Sequence, residues 1–355
     1  MAAGGPDATA MDAARAEEQL NILVLGGTQF MGRIMTKELL RLGHRVTMSN
    51  RGKSPNPFAG NSNVRLLCCD RMGDRERFAK MISAASDEQD FDAVIDFTGF
   101  HRDIIRDTVR ALHSVSEQDV RRKVGHYIYI STDSVYMGSL RPFPSLKVGS
   151  GMRAGKQLPA QADSSGSFLP PTVERLVETD CLPPTEPEQR SLLKRWNSYQ
   201  YGYGGNKLGC EQELHAWWEK SKFPYTALRL PDVMGPYDNL GCHLRVQQRI
   251  AKGLPLPADG KPDHIDDIRT HRISLIYAPD VVAAVLACLR TGEAVHGHAL
   301  HIAQQEAPTI LEYVPACSAL RASSVLYLHA AAHRWQLCAA GSARIGIRCM
   351  IIVTA

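Results

Sequence analysis

Tyr203 and Lys207 stand four residues apart in "YGYGGNKLGCE", a spacing that puts both side chains on one face of a helix. A phenol is a poor base at neutral pH, with a reference pKa of about 10. An ammonium beside it stabilises the phenolate and lowers that value. The phenol can then exchange a proton with a hydroxyl or a carbonyl oxygen. A second polar group comes from "ISTDSVYMG", an apolar run that ends in hydroxyls, where Thr132, with Ser131 beside it, can orient a reacting oxygen. Tyr203, Lys207, Thr132 and Ser131 form the candidate catalytic set. Taken alone, a Tyr/Lys pair at this spacing is equally at home on an ordinary helix surface, so the elements that carry it must decide.

"NILVLGG" is a short apolar run ending in glycine, and "FMGRIMTKELLRLGH" then keeps helical spacing up to Gly43: strand, turn, helix. "RVTMSNRG", "VRLLCCD", "FDAVIDFTGF" and "HYIYISTDSVY" read as four more strands, with "RERFAKMISAA" and "DIIRDTVRALHSV" as helices between them. Apolar strands alternating with helices predict an α/β fold, a doubly wound parallel sheet covered on both faces. From Arg141 to Asn197 the chain is dense in proline and has no sustained period, which reads as a long loop able to act as a lid. Beyond it come a helix in "GNKLGCEQELHAWWEKS", a strand in "YTALRLPDV", a helix at 243–252 and another in "PDVVAAVLACLRTG".

Gly26, Gly27 and Gly32 fall between the first strand and the first helix. A dinucleotide site needs glycine there, so that backbone approaches the pyrophosphate and the helix N-terminus meets its charge. Gln29 stands at the middle of this G-x-x-G-x-x-G pattern. Its side chain prevents the closest approach yet leaves the neighbouring N–H donors, so a variant site is expected rather than a lost one. An acidic residue at the end of the second strand would hold a ribose 2′-hydroxyl. Here the strand ends "SNRGK", and Arg51 with Lys53 favours a 2′-phosphate, hence NADP over NAD, unless both are solvated loop cations. Asp70, after the third strand, suits either the adenine amino group or a turn.

Taken together, these motifs resemble the extended branch of the short-chain dehydrogenase/reductase superfamily, the NAD(P)-dependent epimerase/dehydratase family. Within it the chain is similar to the subgroup with "GGTxFxG" turns and "NRG" second-strand ends, which includes the chloroplast stem-loop binding proteins. The resemblance runs from about residue 20 to 312 and implies a Rossmann domain with a smaller, mostly C-terminal substrate domain. It places Gly26, Gly27, Thr28, Gln29, Phe30, Met31, Gly32, Asn50, Pro231 and Val233 along the cofactor. It also implies a hydroxyl-bearing, sugar-like substrate, often a nucleotide sugar, and in many members a homodimer through a four-helix interface. An arginine of the substrate domain usually grips the substrate diphosphate. Arg272 is the candidate, but relative to Asp280 it lies one residue out of register, which would turn it to the opposite face. The same resemblance admits a non-catalytic or RNA-associated protein, against which Tyr203, Lys207 and Thr132 speak.

The expected domains are an arm at 1–19, a Rossmann domain at 20–235 with the insertion at 141–197, a partial substrate domain at 236–312 and an atypical tail at 313–355. Beyond Glu312 there is no acidic residue and no lysine, only Arg321, Arg334, Arg344 and Arg348 as charges, which fits either a lineage-specific tail or, the reading preferred, a spliced or frame-shifted end. The net charge of +4 then leaves the body near neutral, without the basic surface a nucleic-acid binder needs. "RRKVGH" is a short basic cluster of the kind usually solvated, and Trp196, Trp217 and Trp218 read as packing groups. His101 reads as a helix-start residue. The nine cysteines show neither C-x-x-C spacing nor a metal-ligand rhythm with histidine, so no metal site and reduced thiols are expected. No apolar run reaches the roughly 20 residues of a membrane span, and a cytoplasmic location is expected.

Overall fold

The computed structural model describes residues 19–115, 120–138, 198–239 and 273–305, together with isolated positions at 178, 181, 191, 194, 248, 307, 308 and 313. The N-terminal arm, nearly all of the proline-rich insertion, the expected helix at 243–252 apart from residue 248, and the tail beyond Tyr313 lie outside the described residues, as do Arg272 and Trp196.

Seven parallel strands form the main sheet. In chain order they are β1 (Asn21–Leu25), β2 (Arg45–Asn50), β3 (Val64–Cys68), β4 (Phe91–Asp96), β7 (Val124–Thr132), β8 (Tyr225–Leu230) and β11 (His298–His301). They lie side by side as β11-β8-β7-β4-β1-β2-β3. β1, "NILVL", is buried at every position, as a central strand with both faces covered must be. Alternation sorts its side chains. Ile22 and Val24 join Val46, Ile95, Ile128 and Ile130 beneath α1 (Phe30–Arg41) and α5 (Ala278–Thr291). Leu23 and Leu25 join Val94, Tyr127, Tyr129, Phe78, Ile105 and Leu214 on the other face. That face is covered by α2 (Arg75–Glu88), α3 (Arg102–Leu112) and α4 (Ser198–Ser221).

Because β2 lies on one side of β1 and β4 on the other, the winding reverses between β1 and β4. The crevice at the carboxyl ends of these strands is where such sheets take ligands. All the turns expected to carry chemistry open toward it.

Three local departures from the sequence reading have physical causes. The third helix stops at Leu112, and His113–Val115 (β5) pairs antiparallel with Val120–Arg122 (β6). Here the His113 ring packs edge-on to Trp217 and Phe223, with centroids 5.9 and 5.6 Å away. The helix bearing Tyr203 begins at Ser198, not at Gly205. Gly202, Gly204 and Gly205 lower its local propensity and hide the start. Gly204, however, serves contact: a Cβ on it would lie 2.0 Å from the Ser134 carbonyl oxygen, so the helix presses directly on the 3-10 turn Asp133–Gly138. Finally, residues expected in a substrate domain return to the main layer. α5 covers the sheet, and β11 pairs with β8 in the register His298↔Thr226 to His301↔Arg229, burying Leu300. A short parallel pair, β9 (Asp232–Met234) and β10 (Leu275–Tyr277), leads away from the main sheet.

Candidate functional site

At the end of β1 the chain turns sharply. Gly26 has φ +97°, a left-handed conformation suited to glycine, and its N–H donates to the Ser49 carbonyl at 2.9 Å. A Cβ on it would meet the Thr98 methyl at 2.5 Å. Gly27 is enclosed by Thr36 and Met48, and a Cβ on Gly32 would lie 2.0 Å from the Gly26 carbonyl oxygen. These are the three requirements of a dinucleotide turn: a tight bend, close backbone approach and close packing of helix on strand. The turn therefore fits a pyrophosphate. Thr28 is half-buried and Gln29 exposed. Phe30, buried with φ +41°, opens the helix, while Met31 packs on the core.

Gln29 occupies the N-cap position with extended backbone but does not cap the helix with its side chain. The amide is drawn aside instead. Its Nε2 donates to Ser54 Oγ at 2.8 Å, and its Oε1 accepts from Asn239 Nδ2 at 3.1 Å. The side chain is thus committed to Ser54 and Asn239 rather than to the helix N-terminus.

Past β2, Asn50 Oδ1 accepts from the Gly52 N–H at 2.9 Å, and Arg51 and Lys53 are exposed. Asp70 closes a turn, accepting from the Met72 and Gly73 N–H groups at 3.0 and 3.2 Å. Those two donors, Gly73 first, hold its carboxyl below the ordinary value, and the cations Arg51 and Lys53 add to the effect. Of the two roles open to Asp70, the structure shows the turn former. Pro231 is buried and Val233 half-buried, both just beyond β8. His101 takes the N-cap of α3, where its carbonyl accepts from Ile104 at 3.0 Å.

The catalytic candidates separate into two groups. Tyr203, in the second turn of α4, has Thr132 at the end of β7 among the groups close enough to act on its phenol. Thr132 Oγ1 also lies 3.3 Å from Asp133 Oδ1 and 3.2 Å from Ser134 Oγ. One turn along α4, Lys207 is 2% exposed. Its Nζ donates to the Ile130 carbonyl at 2.6 Å and to the Gly99 carbonyl at 3.0 Å, and the rings of Tyr129 and Phe100 lie 4.6 and 5.0 Å away. Ser131 goes elsewhere. Neighbouring strand residues face opposite sides, and the Ser131 hydroxyl donates to Glu211, which is itself paired with Arg229 at 2.7 Å. Its place is structural, in a buried ion pair.

The electrostatics correct one expectation. Burial, reinforced by Tyr199 and Asp133, pushes the Tyr203 phenol up to about 12, and the neighbouring Thr132 side chain only partly offsets this. The protein's own groups therefore keep the phenol protonated at neutral pH. The nearby ammonium is spent on two carbonyls, and burial lowers Lys207 to about 8. Asp133 was not anticipated, although it adjoins Thr132 in "STDSVY"; burial, with Asp232 adding, raises it to about 6. Gly99 was also missed, because what it supplies is a backbone carbonyl, which leaves no mark in residue type. Among the described residues no cluster of His, Cys, Asp or Glu could hold a metal ion, and no helix is long and apolar enough to cross a membrane.

The family model for the NAD dependent epimerase/dehydratase family matches residues 22–146 and 177–303. A curated relative, the chloroplast stem-loop binding protein of 41 kDa b of Arabidopsis thaliana, is 32% identical over 134 residues, a match spanning 35% of this chain and 32% of that protein. Among solved structures, UDP-glucuronic acid 4-epimerase from Bacillus cereus, in complex with NAD, superposes with a TM-score of 0.56 at 20% identity, covering 86% of this chain and 85% of the other. dTDP-glucose 4,6-dehydratase from Bacillus anthracis, also with NAD, gives a TM-score of 0.56 at 17% identity over 86% and 82% of the two chains. At these identities what is shared is the fold.

Proposed function

This chain belongs to the NAD dependent epimerase/dehydratase family, and from that premise we propose that it is an NAD(P)-dependent oxidoreductase or epimerase acting on a hydroxyl-bearing, sugar-like substrate. The observation that carries the reading is the convergence of Tyr203 and Thr132, one helical turn from Lys207, whose Nζ is anchored on the Gly99 and Ile130 carbonyls at the carboxyl ends of β4 and β7. Gly26, Gly27 and Gly32 form the pyrophosphate cradle, and Arg51 and Lys53 give the adenosine end its preference for a 2′-phosphate. The cofactor, when bound, supplies a hydride acceptor or donor and, in its oxidised form, a positive charge.

The chain's own residues handle the proton. With a phenol at about 12, Tyr203 rests as an acid and gives its proton to a carbonyl oxygen during reduction. In the reverse direction it takes the proton of a substrate hydroxyl once its own has been released to solvent. Thr132 holds the reacting oxygen in line with the phenol. Lys207 has two of its three donors fixed on carbonyls, and the third is left for a ribose hydroxyl. The sugar-like substrate is supported by the nucleotide sugars named for the two solved structures above.

Titration of the purified protein with NADPH and NADH, followed by nicotinamide fluorescence, tests the cofactor reading. NADPH is expected to bind more tightly, and Arg51→Ala to erase the difference. Across a panel of nucleotide sugars, Tyr203→Phe should lower turnover by ~10²–10⁴ with cofactor affinity kept; unchanged turnover removes Tyr203 from the mechanism. The stem-loop binding relative favours a second reading, an RNA-associated protein on the same scaffold. RNA affinity that falls steeply with salt and ignores Tyr203→Phe would support it.

A further inference from the structure

The Gln29 side chain does more than vacate the turn. It is the midpoint of a bridge whose ends belong to distant parts of the sheet. Ser54 lies in the segment after β2, beside β1 on one flank of the crevice. Asn239 lies in the segment after β9, which continues from β8, and β8 is separated from β1 by β7 and β4. To reach Gln29, the segment after β9 must cross the carboxyl ends of those two strands, the crevice where the winding reverses. Both functions of the amide are used, the N–H toward Ser54 at 2.8 Å and the oxygen toward Asn239 at 3.1 Å, so its orientation is fixed by complementary partners.

A second contact holds the same segment down. Arg33, one turn below Gln29 on α1, places its guanidinium 4.0 Å from the centre of the Tyr237 ring. Tyr237 has φ +63° and Gly235 φ +155°, and a tyrosine is uncommon in the left-handed region. The segment is therefore bent sharply toward the turn and fastened there at two points.

We propose that Gln29, hydrogen-bonded to Ser54 and Asn239, is a gate across the pyrophosphate channel, a positioning residue that slows both entry and departure of the dinucleotide. This rests on the cofactor reading above. With the diphosphate held on the glycine turn as proposed above, the bridge would span its way in and out, and the two hydrogen bonds would have to open each time the ligand passes. A gate of this kind raises the barrier between free and bound states without favouring either. Its signature is kinetic, whereas a side chain that simply touches the cofactor would act on affinity.

Stopped-flow fluorescence with NADPH and the full chain separates the two. Gln29→Gly should raise the association and dissociation rate constants together, by about tenfold for two exposed hydrogen bonds, with Kd held within about threefold. Ser54→Ala and Asn239→Ala, each removing one arm, should each give part of the same acceleration, and as small truncations at a half-buried and an exposed position they stand in for Gln29→Gly if that variant fails to fold. Unchanged rates in all three variants overturn the gate. So does faster dissociation alone with a proportional loss of affinity, which would make Gln29 an ordinary cofactor contact. Wild-type protein that binds neither NADPH nor NADH overturns the cofactor reading, and the gate with it.

Discussion

Lys207 shows how one buried group can carry two opposite pH dependences. Burial lowers it to about 8 from an ordinary 10.5, so the folded protein releases this proton before the unfolded chain does. Between those two values the unfolded state binds more protons, and stability from this group rises with pH. In the cofactor complex proposed above, its third donor, toward a ribose hydroxyl, weakens over the same rise, because the ammonium is being lost. NADPH affinity should therefore fall through a midpoint near pH 8, while thermal stability does not fall with it. In Lys207→Met the affinity profile should be flat across that window, which fluorescence titration at stepped pH will show. At the residue scale the sequence could nominate groups by type but not place them. Tyr203, Lys207 and Thr132 could be brought together because residue type announces their chemistry. Ser131 has the same hydroxyl as Thr132, and only the alternation of β7 sends it to Glu211 instead.

At the scale of elements, the position of Tyr203 depends on how closely α4 can approach the turn after β7. Gly204 allows it, since a Cβ there would collide with the Ser134 carbonyl oxygen at 2.0 Å, whereas nothing lies within 4 Å of a Cβ on Gly205. Gly205→Ala should therefore stabilise the helix by about 0.5–1 kcal/mol. Gly204→Ala should force the helix outward at a cost of about 1–3 kcal/mol and part Tyr203 from Thr132, with turnover falling toward that of Tyr203→Phe. Urea denaturation and turnover on the pair of variants check both halves. Six of the seven strands of the main sheet were legible, the clearest from nearly unbroken apolar runs such as "NILVL" and "YTALRL", whereas β11, "HALH", is too short and polar to show. The true start of α4 was not, because local propensity argues against three glycines in eight residues, and the reason for one of them is a contact with residue 134, far away in sequence.

For the whole molecule, the buried charges tie the two sides of the crevice together. Arg71, 7% exposed, donates to Asp96 Oδ1 at 2.7 Å, to Thr98 Oγ1 at 3.2 Å and to Thr108 Oγ1 at 2.8 Å, and the Tyr127 hydroxyl donates to the other Asp96 oxygen at 2.5 Å. Thr98 meets the glycine turn, and Gly99 next to it holds Lys207. Arg71→Met leaves Asp96 buried without its cation and should cost about 3–5 kcal/mol at neutral pH. Part of that should return on acidification, as the carboxyl takes up a proton. Chemical denaturation at pH 7 and pH 5 measures the difference. None of this network was visible beforehand, since "CCDRMGD" and "FDAVIDFTGF" look like independent strand ends until the sheet sets them beside each other. Lys123 in "RRKVGH" makes the same point: read as solvated, it is buried and paired with Asp87 at 2.6 Å. The seventh strand has a consequence for biosynthesis. Among the described residues β11 is the last part of the sheet to leave the ribosome, and until His298–His301 arrives, β8 ends the nascent sheet with its Thr226–Arg229 edge uncovered. An exposed strand edge recruits other chains, so a product terminated before His298 should aggregate during translation even though six parallel strands are already in place.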